Sequence, residues 1–532
     1  MTRPNHVRLG KLDRRQLVAG AAGLGLATPF LGRGSSALAA AALQEGTPAP
    51  TPGGILKVGL QADPTALDPH KQSLTAIWHV IEHIYNGLTR ITKPDLTIEP
   101  GLAEGWEISE DGTSYMFVLR EGVTFHDGTP LKASDVKFTF ERLVDPETAS
   151  TSASELASMK SIEATDDRTV VITLHAPDAA FLTNLAQPAL VIYSEAFVKA
   201  NNNDISQVAM GTGPFRFVEY VPNTRIVLEK NPNYWEEGLP YLDGIEMTIA
   251  ADDTSRTAAI VSGAVDFIEY VPLRDVDTLQ QDPNLALAGD TNTNIRFIGF
   301  NLSKEPFDKP QVRQAIASVV DRDAMLGPTV FGHGTPVEAL FPPDFWAALQ
   351  QDVRPADVER AKSLMEEAGH ADGFSTTITS WSQYSFLSNA AVVLQEQLRL
   401  IGIEAELNLV ENATMVDQVY VGKTYDIAVT GESAYVDPNT LILPNFKSGE
   451  SGNFVNYANP EVDALIEQGI ATTDQDERAR IYQEIQTLLL EDLPWVNLFV
   501  ANQYEAMKTN VKGYVHIPTG SNIAFRTTWI EG

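Results

Sequence analysis

The sequence predicts an α/β protein with helices packed on sheets, divided into two or three domains. Three observations predict it. The chain has 532 residues, more than one ordinary core accommodates. Strand-like and helix-like segments alternate through most of its length. Its composition, 43% hydrophobic and 20% charged, is that of a globular protein, and no repeat of fixed period interrupts it.

The first 42 residues show the three regions of a secretory signal: a basic opening, an apolar run from Leu17 to Leu31, and small residues around Ala37-Leu38-Ala39. Arg14-Arg15 before Gln16-Leu17-Val18 is similar to a twin-arginine signal, with Asp13 where that pattern usually has Ser or Thr. A Sec signal with two arginines is the alternative. Residues 43–53 follow as a flexible Pro/Gly/Thr tether. No later run of about 18 apolar residues occurs, so the body is expected to be exported and soluble.

Within the body, residues 54–61 alternate toward a strand. Residues 74–86 read as a helix capped by Ser73 and stopped at Asn86-Gly87. Residues 113–125 and 168–174 are strand-like, with a helix at 134–143 between them. Residues 215–230 read as a hairpin turning at Pro222-Asn223. A strand at 245–250, a helix from Asp253, and strands at 265–271 and 294–301 come next. From about 309 helices dominate, separated by strands at 375–380, 403–410 and 425–431. A long helix from Asp476 to Leu490 carries Ile481, Ile485, Leu488 and Leu489 on one stripe, and 494–507 returns to strand.

Composition also excludes classes of function. Lys and Arg number 38 against 70 Asp and Glu, a formal net charge of −32. Residues 1–42 hold six of the bases (Arg3, Arg8, Lys11, Arg14, Arg15, Arg33) and one acid (Asp13), so the remainder is more acidic still. Such a body repels phosphate backbones, and no nucleic-acid partner is expected. A saline habitat and a cationic ligand would each account for the acidity. The absence of cysteine excludes disulfides, thiolate zinc sites, cysteine nucleophiles, iron–sulfur clusters and a lipidated cysteine anchor.

"WHVIEH", residues 78–83, contains His79, Glu82 and His83 in the order H-x-x-E-H, the inverted zinc-peptidase pattern. On a helix over 74–86, Ile77, Ile81 and Ile84 share one side and His79, Glu82 and His83 the other. A zinc peptidase needs a third ligand and an orienting shell, and no second histidine pattern supplies them. A polar helix face in water is therefore the expectation, with the secreted zinc peptidase as its alternative. His126-Asp127-Gly128 reads as a turn in which the histidine is incidental. With no G-x-S-x-G elbow and no phosphate loop, no catalytic constellation, cofactor or resident metal is expected.

Several stretches, in order, resemble one family. They include "LAEGWEISEDGTSYMFVLREGVTFHDGTPLKASDVKFTFERL" (102–143), "GTGPFRFVEY" with "LEKNPNYW" (211–235), "FNLSKEPFDKPQVRQAIASVVDRDAM" (300–325), "LQEQLRLIGIEAEL" (394–407) and "ERARIYQEIQTLLLEDLPWVNLF" (477–499). The chain is identified as similar to the extracytoplasmic solute-binding proteins of peptide/nickel-type ABC importers, family 5, from about residue 54 to its end. The resemblance implies the two-lobed type II periplasmic binding protein fold with an extra inserted domain and a hinge of two crossing segments, near 270–300 and 490–500. Lobe I would comprise residues 54–98, 206–293 and 495–532, the inserted domain II 99–205, and lobe III 294–494. It further implies a monomeric receptor, not an enzyme, that binds oligopeptides or a similar-sized solute and delivers it to an ABC permease. Oligosaccharide or nickel-chelate receptors of the same family are the alternatives.

Peptide binders of this family pair an Asp with the ligand ammonium in a loop that corresponds here to "TGESAYVDPNT" (430–440), where Ala434 stands in its place. Glu432 is expected to substitute, and Tyr435 and Asp437 to stand in the same wall, Asp437 also as a turn or helix-cap residue. Trp381 and Tyr384, between a strand and a helix, are expected to stack on ligand groups or to pack within the lobe. Asn453 offers a donor and an acceptor from "SGNFVN" (451–456).

Overall fold

The computed structural model describes residues 49–72, 74–432 and 436–532, so the signal, the start of the tether, Ser73 and Tyr435 lie outside the described residues. Nineteen strands occur among the described residues, the last two a short pair at Val511–Lys512 and Trp529–Ile530; the first seventeen organise the fold. They are β1 (Ile55–Leu60), β2 (Thr89–Ile91), β3 (Ile98–Pro100), β4 (Ala103–Ile108), β5 (Ser114–Leu119), β6 (Met159–Ala164), β7 (Thr169–Leu174), β8 (Phe215–Val221), β9 (Arg225–Lys230), β10 (Gly244–Ile249), β11 (Phe267–Ile268), β12 (Leu285–Phe300), β13 (Gly334–Pro336), β14 (Phe374–Trp381), β15 (Ile403–Val410), β16 (Ile427–Glu432) and β17 (Trp495–Lys508).

The main sheet has 11 strands in the order β15-β14-β16-β12-β17-β11-β1-β10-β9-β8, with β13 added on β17. Its centre is the antiparallel pair β12 and β17, each with one half on either side of the molecule. Leu285–Thr291 pair with Lys508–Asn502, beside β11, and Ile295–Gly299 pair with Val500–Trp495, beside β16. Between the halves Asn292, Thr293 and Asn294 bulge out, while Ala501 opposite them pairs with Gly334 of β13 instead. Such bulges bend and twist a strand locally. The molecule is thus a mixed α/β, two-lobed frame joined by two crossing strands.

The second lobe is doubly wound. β14 pairs parallel to β15 and β16, and alternate residues feed two cores: Ile295, Phe297 and Ala428 into one, Ile298, Ile427 and Val429 into the other. Parallel strands need both faces covered, which explains why helices such as Ser385–Arg399 and Gln475–Asp492 dominate here. A separate four-stranded sheet, β4-β5-β7-β6, is covered by the helix Ala133–Val144 through Val136, Phe140 and Leu143. That helix is tied to the first lobe by a buried ion pair, Arg142 Nη2 to Asp68 Oδ2 at 2.6 Å, with Arg142 Nη1 also 2.9 Å from His70 Nδ1.

Three expectations need correction. The helix read over 74–86 covers only Thr75–Ile81. The carbonyls that would continue it, of His83 and Ile84, accept instead from Phe215 N–H (3.0 Å) and Gly213 N–H (2.8 Å). That docking leaves no room for a side chain: a Cβ on Gly213 or Gly211 would lie 2.6 or 2.3 Å from the Ile84 carbonyl oxygen. Second, His126 is not incidental, for its Nε2 lies 3.1 Å from the Gly213 carbonyl and its Nδ1 accepts from Gly211 N–H. Burial pushes its pKa down to about 4. Third, the strand read over 265–271 is only β11, two residues long. Among the described residues no helix is long and apolar enough to cross a membrane.

Removing one member of a buried ion pair strands the other, at a cost of about 3–5 kcal/mol. Asp68→Asn is therefore expected to lower unfolding free energy by about that amount, read as a shift in denaturant midpoint at unchanged m-value.

Candidate functional site

The cleft between the two lobes has two chambers. The first, about 990 Å³ with its open mouth, has Trp78, His79 and Glu82 as floor, Gln187 on one side, Ser521 and Ile523 on another, and Val436 of the second lobe across from them. The second, about 1270 Å³, is lined by Leu96, the bulge residues Asn292 and Thr293, Phe345, Trp346 and His516. The C-terminal segment supplies walls to both, Val515, His516 and Pro518 to the second and Thr519, Ser521 and Ile523 to the first. The two sides also touch directly, since Ala179 N–H donates to the Ile470 carbonyl at 3.0 Å.

The H-x-x-E-H residues do not face water. His79, Glu82 and His83 are all buried, at 2%, 8% and 0% exposure, because Gly211–Phe215 and the C-terminal segment close over the turn after the short helix. Nor do they converge. His79 Nδ1 bonds Glu269 Oε2, whose carboxylate also accepts from Gln61 N–H (2.7 Å) and Asn522 Nδ2 (3.2 Å). Glu82 accepts from Ser521 Oγ at 2.5 Å and Asn522 N–H at 2.6 Å. His83 stacks on Phe525, ring centroids 5.1 Å apart, and meets the edge of Phe215. Nearby, His516 Nδ1 bonds Glu505 Oε2 at 2.8 Å on β17. Among the described residues no group of three or more His, Asp or Glu side chains is placed to hold a metal ion.

Burial and charge divide these groups. Burial opposes charge on His79, but Glu269 beside it outweighs burial and raises the imidazole to about 9. Burial raises the Glu82 carboxyl to about 7, against the pull of His79 and its two donors. His83, buried against rings, falls to about 3 and is neutral. The sequence contained these residues, but not their pairing: Glu269 is 190 residues from His79 and Asn522 440 from Glu82, and no local pattern marks such pairs.

The residues named from sequence sit on the second lobe's face. Glu432 ends β16, in register with Ile295 of β12; burial raises its carboxyl to about 7, countered by the neighbouring Arg296. Trp381 ends β14, donates Nε1–H to Thr430 Oγ1 (3.2 Å) and packs against both cores of the lobe. Tyr384 is exposed and lies edge-on to Trp381, centroids 5.7 Å apart. Asp437 is buried; it caps the helix Pro438–Phe446 through Asn439 N–H and holds Arg478 with both oxygens, each at 2.9 Å. Asn453 is buried as well, and its amide bonds Lys447 and Tyr457 backbone groups, closing its own loop.

Comparison with known proteins places this architecture. Residues 97–453 match the bacterial extracellular solute-binding proteins, family 5, middle region, and the chain belongs to that family. The glutathione-binding protein GsiB of Pectobacterium atrosepticum is 30% identical over 463 residues, covering 85% of this chain and 90% of that protein. Heme-binding protein A of Haemophilus influenzae is 32% identical over 483 residues, covering 85% and 87%. Among solved structures, the ABC transporter-associated periplasmic binding protein DppA from Helicobacter pylori, in complex with the peptide STSA, superposes with a TM-score of 0.74 at 28% identity, over 91% of this chain and 99% of that one. The protein is a solute receptor of the binding-protein class.

The His79–Glu269 pair has a pH signature. Because the folded pKa of His79 exceeds its unfolded value of about 6.5, its stabilising share is complete below pH 6.5 and is lost as pH rises toward about 9. Wild-type Tm is expected to fall between pH 7 and 9, and His79→Gln to flatten that fall, as thermal denaturation at each pH would show.

Proposed function

We propose that the chain binds an oligopeptide, or a solute of similar size, between its lobes and delivers it to the membrane permease of an ABC importer. The observation that carries this reading is the pair of chambers, about 120 and 510 Å³ without their open mouths, walled by both lobes. Small-molecule sites commonly span about 300–1,000 Å³, and the second chamber falls within that range. GsiB, by its name a glutathione binder, and DppA, solved with a tetrapeptide, favour peptides over the family's other guests.

Closure follows from such a guest, because contacts to both lobes exist only when they meet around it. Energy for import would come from a partner ATPase, the chain itself having no phosphate loop. Residues 54–98, 206–293 and 495–532 form lobe I in this reading, 99–205 the inserted domain and 294–494 lobe III. Export through the signal in residues 1–42, by the twin-arginine route, and work as a soluble monomer outside the cytoplasmic membrane, with no cysteine anchor, belong to it too. Trp381, Tyr384, Glu432 and Tyr435 are the proposed ligand contacts on the second lobe. Asp437 and Asn453 shape the wall that carries them.

Native mass spectrometry of the purified mature protein tests the reading. A peptide released from the cleft is the expected result, and adding it back at 100 times its Kd should stabilise the fold by about 2.7 kcal/mol. Release of a heme, a sugar or a nickel chelate would redirect it within the family.

A further inference from the structure

We propose that Glu82, on the floor of the first chamber, receives the ammonium group of an amine-bearing solute. The inference deepens the reading of the cleft as a peptide receptor and rests on it. It draws together the H-x-x-E-H stretch, which no metal explains, and the loop at 430–440, where Ala434 replaces the acid the family resemblance leads one to expect.

The argument is one of charge and reach. Around Glu82 lie two further buried carboxylates, Glu269 and Glu505, and two imidazoles, His79 and His516. Each imidazole is bonded to one of the other acids, His79 to Glu269 and His516 to Glu505. Arg256, behind Glu269, spends its guanidinium on Asp253 at 2.7 Å and on the Ala250 and Tyr270 carbonyls. Glu82 is therefore the carboxylate of the three that bonds no imidazole: it accepts from one hydroxyl and one backbone N–H, each on a different oxygen. Each oxygen keeps acceptor capacity beyond that single donor.

Glu82 also stands in the wall of the first chamber, 92% buried, where water screens poorly and a cation pairs strongly. An ammonium there gains a carboxylate and has the hydroxyls of Thr75 and Ser521 in the same wall. Other groups of the cleft are worse candidates. Arg90, the guanidinium of this chamber, is paired with Glu236 at 2.8 Å and lies over the Trp235 ring, so a ligand carboxylate meets a charge already neutralised. Glu432 has Arg296 as neighbour much as Glu82 has His79, but the His79 imidazole is bonded to Glu269. Reading of the amine thus passes from the second lobe's loop to the first lobe's floor.

The test is isothermal titration of the mature protein with a pool of tri- to pentapeptides bearing free amino termini, and with the same pool N-acetylated. Wild type is expected to bind the free pool about 30-fold or more tightly than the acetylated one. Glu82→Gln should bind both alike. Equal binding of both pools by wild type, or a preference that survives in Glu82→Gln, overturns the subsite and leaves the peptide reading standing. Binding of neither pool overturns both. The wild-type comparison decides the matter even if Glu82→Gln fails to fold.

Discussion

The chain passes from one half of the main sheet to the other through β12 and returns through β17, and these two strands are hydrogen-bonded to each other on both sides of the passage. That ladder is the constraint on which the rest depends. It fixes the lobes' separation and makes the cleft a property of the backbone. It also confines any bending to the point where the ladder is broken, at Asn292–Asn294 opposite Ala501. A continuous antiparallel ladder resists bending, whereas a bulge with three residues facing one has spare backbone to absorb it. The bulge lines the second chamber, so a guest there touches the flexure itself.

Beside the same strands lies the buried acid and imidazole cluster. Glu505 is on β17 and is bonded to His516, 11 residues on; Glu269 directly follows β11 and is bonded to His79, 190 residues back. Buried charges of this kind add little net stability when paired and cost several kcal/mol when one partner is removed. The surplus of acid in this cluster is a local counterpart of the acidity of the whole chain. Elsewhere Arg142–Asp68 and Arg478–Asp437 use the same device for assembly, joining the helix Ala133–Val144 to the loop after β1 and a helix cap to a helix face.

The α/β class, the hairpin at 215–230, the strands at 375–380 and 403–410 and the long C-terminal helix were legible because each follows a local period, two for strands and 3.6 for helices. The crossing strands were legible only through family resemblance, since β12 begins nine residues before the alternating stretch that marks it. The helix at 74–86 was read too long because its last carbonyls are claimed by Gly213 and Phe215, some 130 residues away. Amphipathic periodicity likewise assigned His79, Glu82 and His83 to water, when a third layer, the C-terminal segment, covers that face. Asp437 and Asn453 show the converse limit: residue type announces a polar role, but whether the partner is a ligand or an arginine 41 residues on is a tertiary fact.

Two lobes joined at a broken ladder, walls drawn from both, and a buried carboxylate, Glu82, held by a hydroxyl and a backbone N–H form a frame in which guest and closure reinforce one another. Small-angle X-ray scattering of the protein, stripped of solute and then saturated with it, tests that claim most directly. A smaller radius of gyration in the saturated protein is the predicted result. An unchanged radius, with the solute shown to be bound in the cleft, would contradict it.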